Sequence, residues 1–299
     1  MRFRVACALL FILPLGAEPL RVGRAAIKIT PPAGIPMAGY YSIRLAEGTH
    51  DDLFAKALVL ESGETRVALV ACDLVNLDDA LVASAREAVR EATGITPARV
   101  MISATHSHTG PLLSRRFLAT APAAPRKLAE QYRAALPQRI AEAVRMAAQS
   151  LTPARAWTAT GREESLSFYR RFLMKDGTVR FNPGKMNPDI VQPMGSIDPD
   201  VALAYFDAPD ARPLSAYVNF ALHLDTVGGT QFSADYAYSV SRLLAKLKGP
   251  DMLTLFTIGA AGNINHIDVS HKHPQKGHLE AQRIGTVLAG EVLKTIAKL

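Results

Sequence analysis

The chain has 299 residues, is 48% hydrophobic and carries 34 basic against 27 acidic residues, a net charge of +7. The positive excess is diffuse, with no lysine and arginine block interleaved with aromatics, so nucleic acid is not the expected partner. Only two cysteines are present, Cys7 and Cys72, which rules out an internal disulfide framework and leaves burial to hold one large domain together.

The N-terminus begins Met-Arg-Phe-Arg, runs through an apolar stretch from Val5 to Leu15 and leaves through Gly16-Ala17. A basic start, a short apolar run and a small-residue exit read as a signal peptide over residues 1–17. The run falls short of the ~20 residues needed to span a bilayer. Cleavage after Ala17 leaves residues 18–299 as a single exported domain, secreted or periplasmic, with 32 basic against 27 acidic residues. That residual +5 leaves room for peripheral contact with an anionic membrane surface.

Short β-branched and aliphatic runs predict strands at Ala25 to Ile29, Ala57 to Glu61, Arg66 to Cys72, Val100 to Ala104, Val201 to Phe206, Leu214 to Leu222 and Leu253 to Ile258. Most are nearly continuous in apolar character, as when both faces of a sheet are covered. Helical spacing predicts helices over Ala80 to Ala92, Lys127 to Ala148, Asp235 to Lys248 and Leu279 to Lys298, with Pro137 kinking or splitting the second. The alternation argues for a single α/β domain with a central mixed sheet flanked by helices. Arg115 to Arg126 reads as a loop or lid, and Gly177 to Pro199 as a long functional loop.

Eight histidines carry most of the chemical signal. His106 and His108 follow directly on the strand Val100 to Ala104, and residues two apart on extended backbone share a face. The pair therefore points into one cavity at a strand-to-loop edge, where α/β sites form. His-x-His suits zinc or another divalent transition metal, with one ring free to orient a ligand or substrate; the plainer alternative is two rings satisfied by backbone carbonyls. His223 ends the strand Leu214 to Leu222 and offers a third imidazole at the same edge. Asp73 ends Val67 to Cys72 and offers a supporting carboxylate or merely a cap. Asp235 opens a helix and reads as an N-cap. Arg170 reads as a surface arginine or a carbonyl-oxygen binder. The turn Gly259-Ala260-Ala261-Gly262-Asn263-Ile264-Asn265 lets backbone approach a ligand closely. His266, His271, His273 and His278 lie in a polar loop that reads as solvated surface.

Several segments, in order, resemble the N-terminal catalytic domain of the neutral (non-lysosomal) ceramidase family. They are Ala25 to Pro32 with Met37-Ala38-Gly39-Tyr40, Gly48-Thr49-His50-Asp51, Cys72-Asp73-Leu74, Ala104-Thr105-His106-Ser107-His108-Thr109-Gly110-Pro111, Asn219 to Thr226 with Ser233 to Tyr236, and Ala261 to Asn265. The resemblance runs in register from about Arg24 to nearly the last residue. It implies zinc ligands at His106 and His223, and roles in catalysis for His108, Arg170, Asn265 and Asp73. Substrate contacts are implied at His50, Asp235, Tyr236, Gly262 and Asn263. It further implies hydrolysis of a small-molecule or lipid amide such as an N-acyl sphingoid base, with Zn2+ as cofactor. Three features depart from the family pattern: Asn265 stands where the family has a serine, His266 and Ile267 stand where it has a proline and an asparagine, and the family's two remaining zinc ligands, a glutamate and a tyrosine, come from a region beyond Leu299. His266 or His271 is then a candidate replacement ligand. The reading from a different class is a catalytically silent exported binding protein that retains the fold.

Overall fold

The computed structural model describes residues 18–299; the signal peptide read over residues 1–17, with Cys7, lies outside them. The domain is built from two copies of one arrangement, an antiparallel strand pair followed by a helical crossover to a parallel strand. In the first copy, β2 (Phe54–Ser62) and β3 (Thr65–Cys72) form a hairpin, α1 (Asp79–Thr93) crosses over, and β4 (Val100–Ala104) returns parallel to β3. In the second, β6 (Asp200–Asp207) pairs antiparallel with β7 (Pro213–Phe220), α3 (Tyr236–Lys248) crosses over, and β8 (Leu253–Ile258) returns parallel to β7. A parallel pair needs such a crossover because its strand ends lie at opposite edges. The strand β1 (Arg21–Lys28) extends the first sheet and β5 (Arg155–Arg162) the second.

These expectations of an α/β class and mixed pairing hold, but the strands divide into two principal mixed sheets instead of one. Helices α1 and α2 (Ala123–Gln149) pack on the outer face of the first sheet around Ala57, Val70, Leu136 and Val144. Helices α3 and α4 (His278–Ile296) cover the second around Val218, Phe256, Ile284 and Leu288. The remaining faces meet each other through Val22, Leu58, Phe206, Leu214 and Leu255. Helices and the stacked sheet cover most of both faces, leaving Thr158, Thr160 and Ala202 exposed at the β5–β6 edge, and the covered strands are the ones that read as unbroken apolar runs.

Three local expectations are corrected. Pro137 neither splits nor ends α2, which runs unbroken for 27 residues; Leu136, Ile140 and Val144 bury the stripe around the proline and outweigh its missing hydrogen bond. Arg115 to Arg126 is not wholly loop, since it holds a helical turn at Arg115–Leu118 and the start of α2. Gly177 to Pro199 contains two strands, Val179–Phe181 and Ile190–Pro193, paired antiparallel with Arg171–Met174. Cys72 is a buried free thiol, and among the described residues no helix is long and apolar enough to cross a membrane.

Candidate metal centre

The parallel pairs fix the location of the site, because β3 and β4 end at one edge of their sheet, and β7 and β8 at one edge of theirs. His106 leaves β4 with φ +74°, a left-handed conformation that costs a residue with a Cβ about 1–2 kcal/mol. It is held there by its own N–H, which donates to Leu74 O at 2.9 Å, and by its ring Nδ1, 2.8 Å from Val75 O. Strain maintained by surrounding bonds is what a functional loop looks like. His223 follows β7, buried, with Nδ1 3.1 Å from Ala261 O. His108 joins the two halves of the molecule by donating its N–H to Leu224 O at 2.9 Å.

The three rings converge. Nε2 of His106 lies 3.1 Å from Nε2 of His223 and 3.3 Å from Nε2 of His108, and the ring planes stand at 68–85° to one another. A backbone carbonyl can only accept, so His106 and His223 each carry their proton on Nδ1 and present a bare lone pair at Nε2. Two lone pairs facing each other at 3.1 Å repel, and a cation among them turns that repulsion into coordination. This donor set fits a divalent transition metal, with the carbonyl partners fixing each ring as second ligands commonly do. Burial lowers the pKa of both His108 and His223, assisted by the neighbouring imidazoles and opposed by Asp225, and takes His108 to about 4. His108 and His223 are thus neutral ligands at pH 7.

Around this centre the structure places residues that sequence reasoning passed over. Asp225, two residues beyond His223, is largely buried, and its Oδ1 lies 3.3 Å from His266 Nδ1 without the alignment of a hydrogen bond. Burial alone would raise its pKa, but His266, His223 and His108 hold the carboxyl down at about 2. Arg44 is the other. Its Nη2 donates to His108 O at 2.9 Å and to Ala38 O at 2.5 Å, Nη1 reaches Gly229 O, and its carbon sits 3.9 Å above the Tyr40 ring. One guanidinium thereby ties three loops together behind His108, and no sequence pattern marks it. Gly39 is also required there, because a Cβ at that position would meet His108 backbone and Cβ at 2.5–2.6 Å.

The other sequence-derived residues fall into three places. Arg170 lies beside the centre: Nη2 donates to Gly262 O at 2.8 Å, its backbone N–H to Asn263 O at 2.9 Å, and the guanidinium covers the Phe181 ring at 4.6 Å. Asn265 is buried next to it, its amide donating to Asn182 Oδ1 at 3.0 Å and its carbonyl accepting from Ile267 N. Asp73, Asp235 and Tyr236 sit behind the imidazoles, within the frame. Asp73 accepts from Phe54 N at 3.0 Å, and burial raises its pKa. Asp235 caps α3, as expected of it, accepting from Tyr236 N and Val227 N, while the buried Tyr236 hydroxyl donates to Leu222 O at 2.5 Å, one residue before His223. His50 belongs to a separate group with Asp51 and His278 beside a cleft of about 330 Å³, where the His50 and His278 rings stack at 3.5 Å. His266 contacts Asp225 rather than the three converging nitrogens, and His271 is exposed beside Asp268 at 3.2 Å.

A model of neutral/alkaline non-lysosomal ceramidase, N-terminal, matches residues 20–170, which include His106, His108 and Arg170. The chain belongs to this family. The neutral ceramidase of Pseudomonas aeruginosa shares its fold, with a TM-score of 0.76 at 21% identity over 94% of this chain and 45% of that one. A ceramidase complexed with C2 is similar, with a TM-score of 0.75 at 21% identity over 94% of this chain and 44% of that one. The chain thus spans less than half the length of these relatives. No curated protein matches it. His223 lies outside the matched residues, and it is the fold that brings it to His106.

Proposed function

We propose that this ceramidase-family domain holds a zinc ion on His106, His223 and His108 and serves the hydrolysis of a lipid amide of the N-acyl sphingosine kind. The observation that carries the reading is the convergence of three Nε2 atoms whose opposite ring nitrogens are, for His106 and His223, committed to backbone carbonyls. Zinc in such a site lowers the pKa of a bound water to about 7 and polarises a carbonyl.

The chain's own residues supply the rest. Arg170, anchored on Gly262 O and Phe181, sets a fixed positive charge near the imidazoles for the oxygen of a scissile carbonyl. Asp225, ionised and beside His223 and His266, supplies a fixed negative charge against the neighbouring imidazoles. Asn265 provides a positioning amide, because a carboxamide is no nucleophile. Tyr40, Tyr41, Phe181, Met186 and Met194 are exposed on the loops that carry Tyr40 and Phe181 to the site, an apolar rim suited to an acyl chain and to a peripheral membrane surface. The basic, apolar, small-residue N-terminus supports placing this chemistry outside the cytoplasm.

The test is metal analysis of the purified chain with and without chelator, together with turnover of a fluorescent N-acyl sphingosine. The expected result is about one zinc per chain, lost in His106→Ala and in His223→Ala along with turnover. Zinc without turnover would leave a silent binding protein. Neither zinc binding nor any effect of the substitutions would end the proposal.

A further inference from the structure

We propose that the cleft between α1 and α2 is a binding site for a single-headed anionic amphiphile, an alkyl carboxylate. The cleft has a volume of about 830 Å³, within the ~300–1,000 Å³ of small-molecule sites. It lies on the outer helical layer and shares no residue with the imidazole centre. Ala80, Ala119, Ala134 and Pro137 give it an apolar wall over the buried Leu81 and Leu118, while Arg115, Arg126 and Arg133 bring three guanidiniums to it.

The three arginines are not equivalent. Arg133 is buried and already satisfied, donating to Asp78 Oδ1 at 2.7 Å and to Leu113 O at 2.9 Å. Arg115 has no carboxylate within ion-pair distance among the described residues, and Arg126 makes only a marginal 3.5 Å contact with Ala119 O. Glu130, four residues along the helix from Arg126, lines the same cleft yet does not pair with it at 4.0 Å or less. Two unpaired guanidinium forks beside an apolar wall are complementary to a planar anion with a tail, since arginine grips carboxylates bidentately.

Charge selects the head group. Three guanidiniums set against Glu130 and Asp78 leave one net positive charge, which matches a monoanionic carboxylate better than a dianionic phosphate. The volume far exceeds a bare carboxylate, and the apolar wall accepts alkyl carbon removed from water.

The experiment is titration calorimetry with dodecanoate below its micelle concentration, using the full chain and an Arg115→Gln/Arg126→Gln variant. Arg115 is exposed and Arg126 half-buried, and neither holds an ion pair among the described residues, so the fold survives their loss, and unchanged thermal unfolding confirms it. Dodecanoate binds one to one, at least tenfold more weakly to the double variant, and at least tenfold more tightly than dodecanol, acetate or dodecyl phosphate. Equal binding by the variant, by dodecanol or by dodecyl phosphate overturns the proposal. His106→Ala/His223→Ala binds dodecanoate as the parent does; loss there would move the ligand to the imidazole centre and overturn it equally, whatever becomes of the zinc reading.

Discussion

Gly39→Ala is the perturbation whose consequence can be worked furthest from the geometry. Gly39 has φ +94°, and an added Cβ would lie 2.5 Å from His108 Cβ and O and 2.6 Å from its Cα. Ordinary contact begins near 3.4 Å, so the two backbones must separate by about 0.9 Å. The His108 backbone cannot yield freely, because its N–H is bonded to Leu224 O and its carbonyl to Arg44. Left-handed strain of about 1–2 kcal/mol and overpacking of about 1–3 kcal/mol together give about 2–5 kcal/mol. At about 2–4 °C per kcal/mol, unfolding should shift down by roughly 4–20 °C. The same displacement carries His108 away from His106 and His223, and about 1 Å at a reacting centre is worth about a hundredfold in rate. Gly34→Ala is the control: its φ is +84°, but the nearest atom to the new Cβ is the flexible Leu128 Cδ1 at 3.8 Å, so strain acts without the clash. Differential scanning calorimetry and zinc titration of both variants decide the matter. Gly39→Ala matching Gly34→Ala in stability, with zinc affinity within twofold of the parent, refutes the reasoning.

Tyr236→Phe removes a buried hydroxyl and orphans Leu222 O, so chemical denaturation should show a loss of about 1–3 kcal/mol, with zinc affinity falling as His223 loosens. Asp207→Asn tests acid linkage. Burial alone would raise the Asp207 pKa, but bonds from Arg155 at 2.6 and 3.0 Å and from Trp157 Nε1 at 3.0 Å bring it below the usual value. A lowered folded pKa means stability that is present above the unfolded value near 4 and is lost as pH falls through the folded pKa. The stability gap between parent and variant should therefore be full at pH 7 and close below about pH 4; a gap independent of pH counts against the ion pair. Arg44→Ala should weaken zinc binding and turnover while Arg44→Lys rescues only part, because a lysine cannot reach three carbonyls from one planar group. Full rescue by Arg44→Lys would instead assign Arg44 a purely electrostatic role.

The order of apolar runs and helical stripes was enough to place seven strands and four helices, since each is set by local periodicity and by burial on both faces. His106, His108 and His223 were legible as strand-end imidazoles because the strands announce themselves and histidine is scarce. Sequence alone also distinguished no single sheet from two stacked ones, as a strand covered by a helix and a sheet reads like one covered by two helices. Arg155 to Arg162 escaped notice because its edge position leaves it alternating and largely polar. Tertiary structure alone decided that His106 Nε2 and His223 Nε2, 117 positions apart, stand 3.1 Å from each other. It alone recruited Asp225, Gly39 and Arg44, whose roles lie in contacts between loops distant in the chain. Local physics chooses the elements; which side chains meet at their ends depends on how two sheets stack, and no window along the chain contains that information.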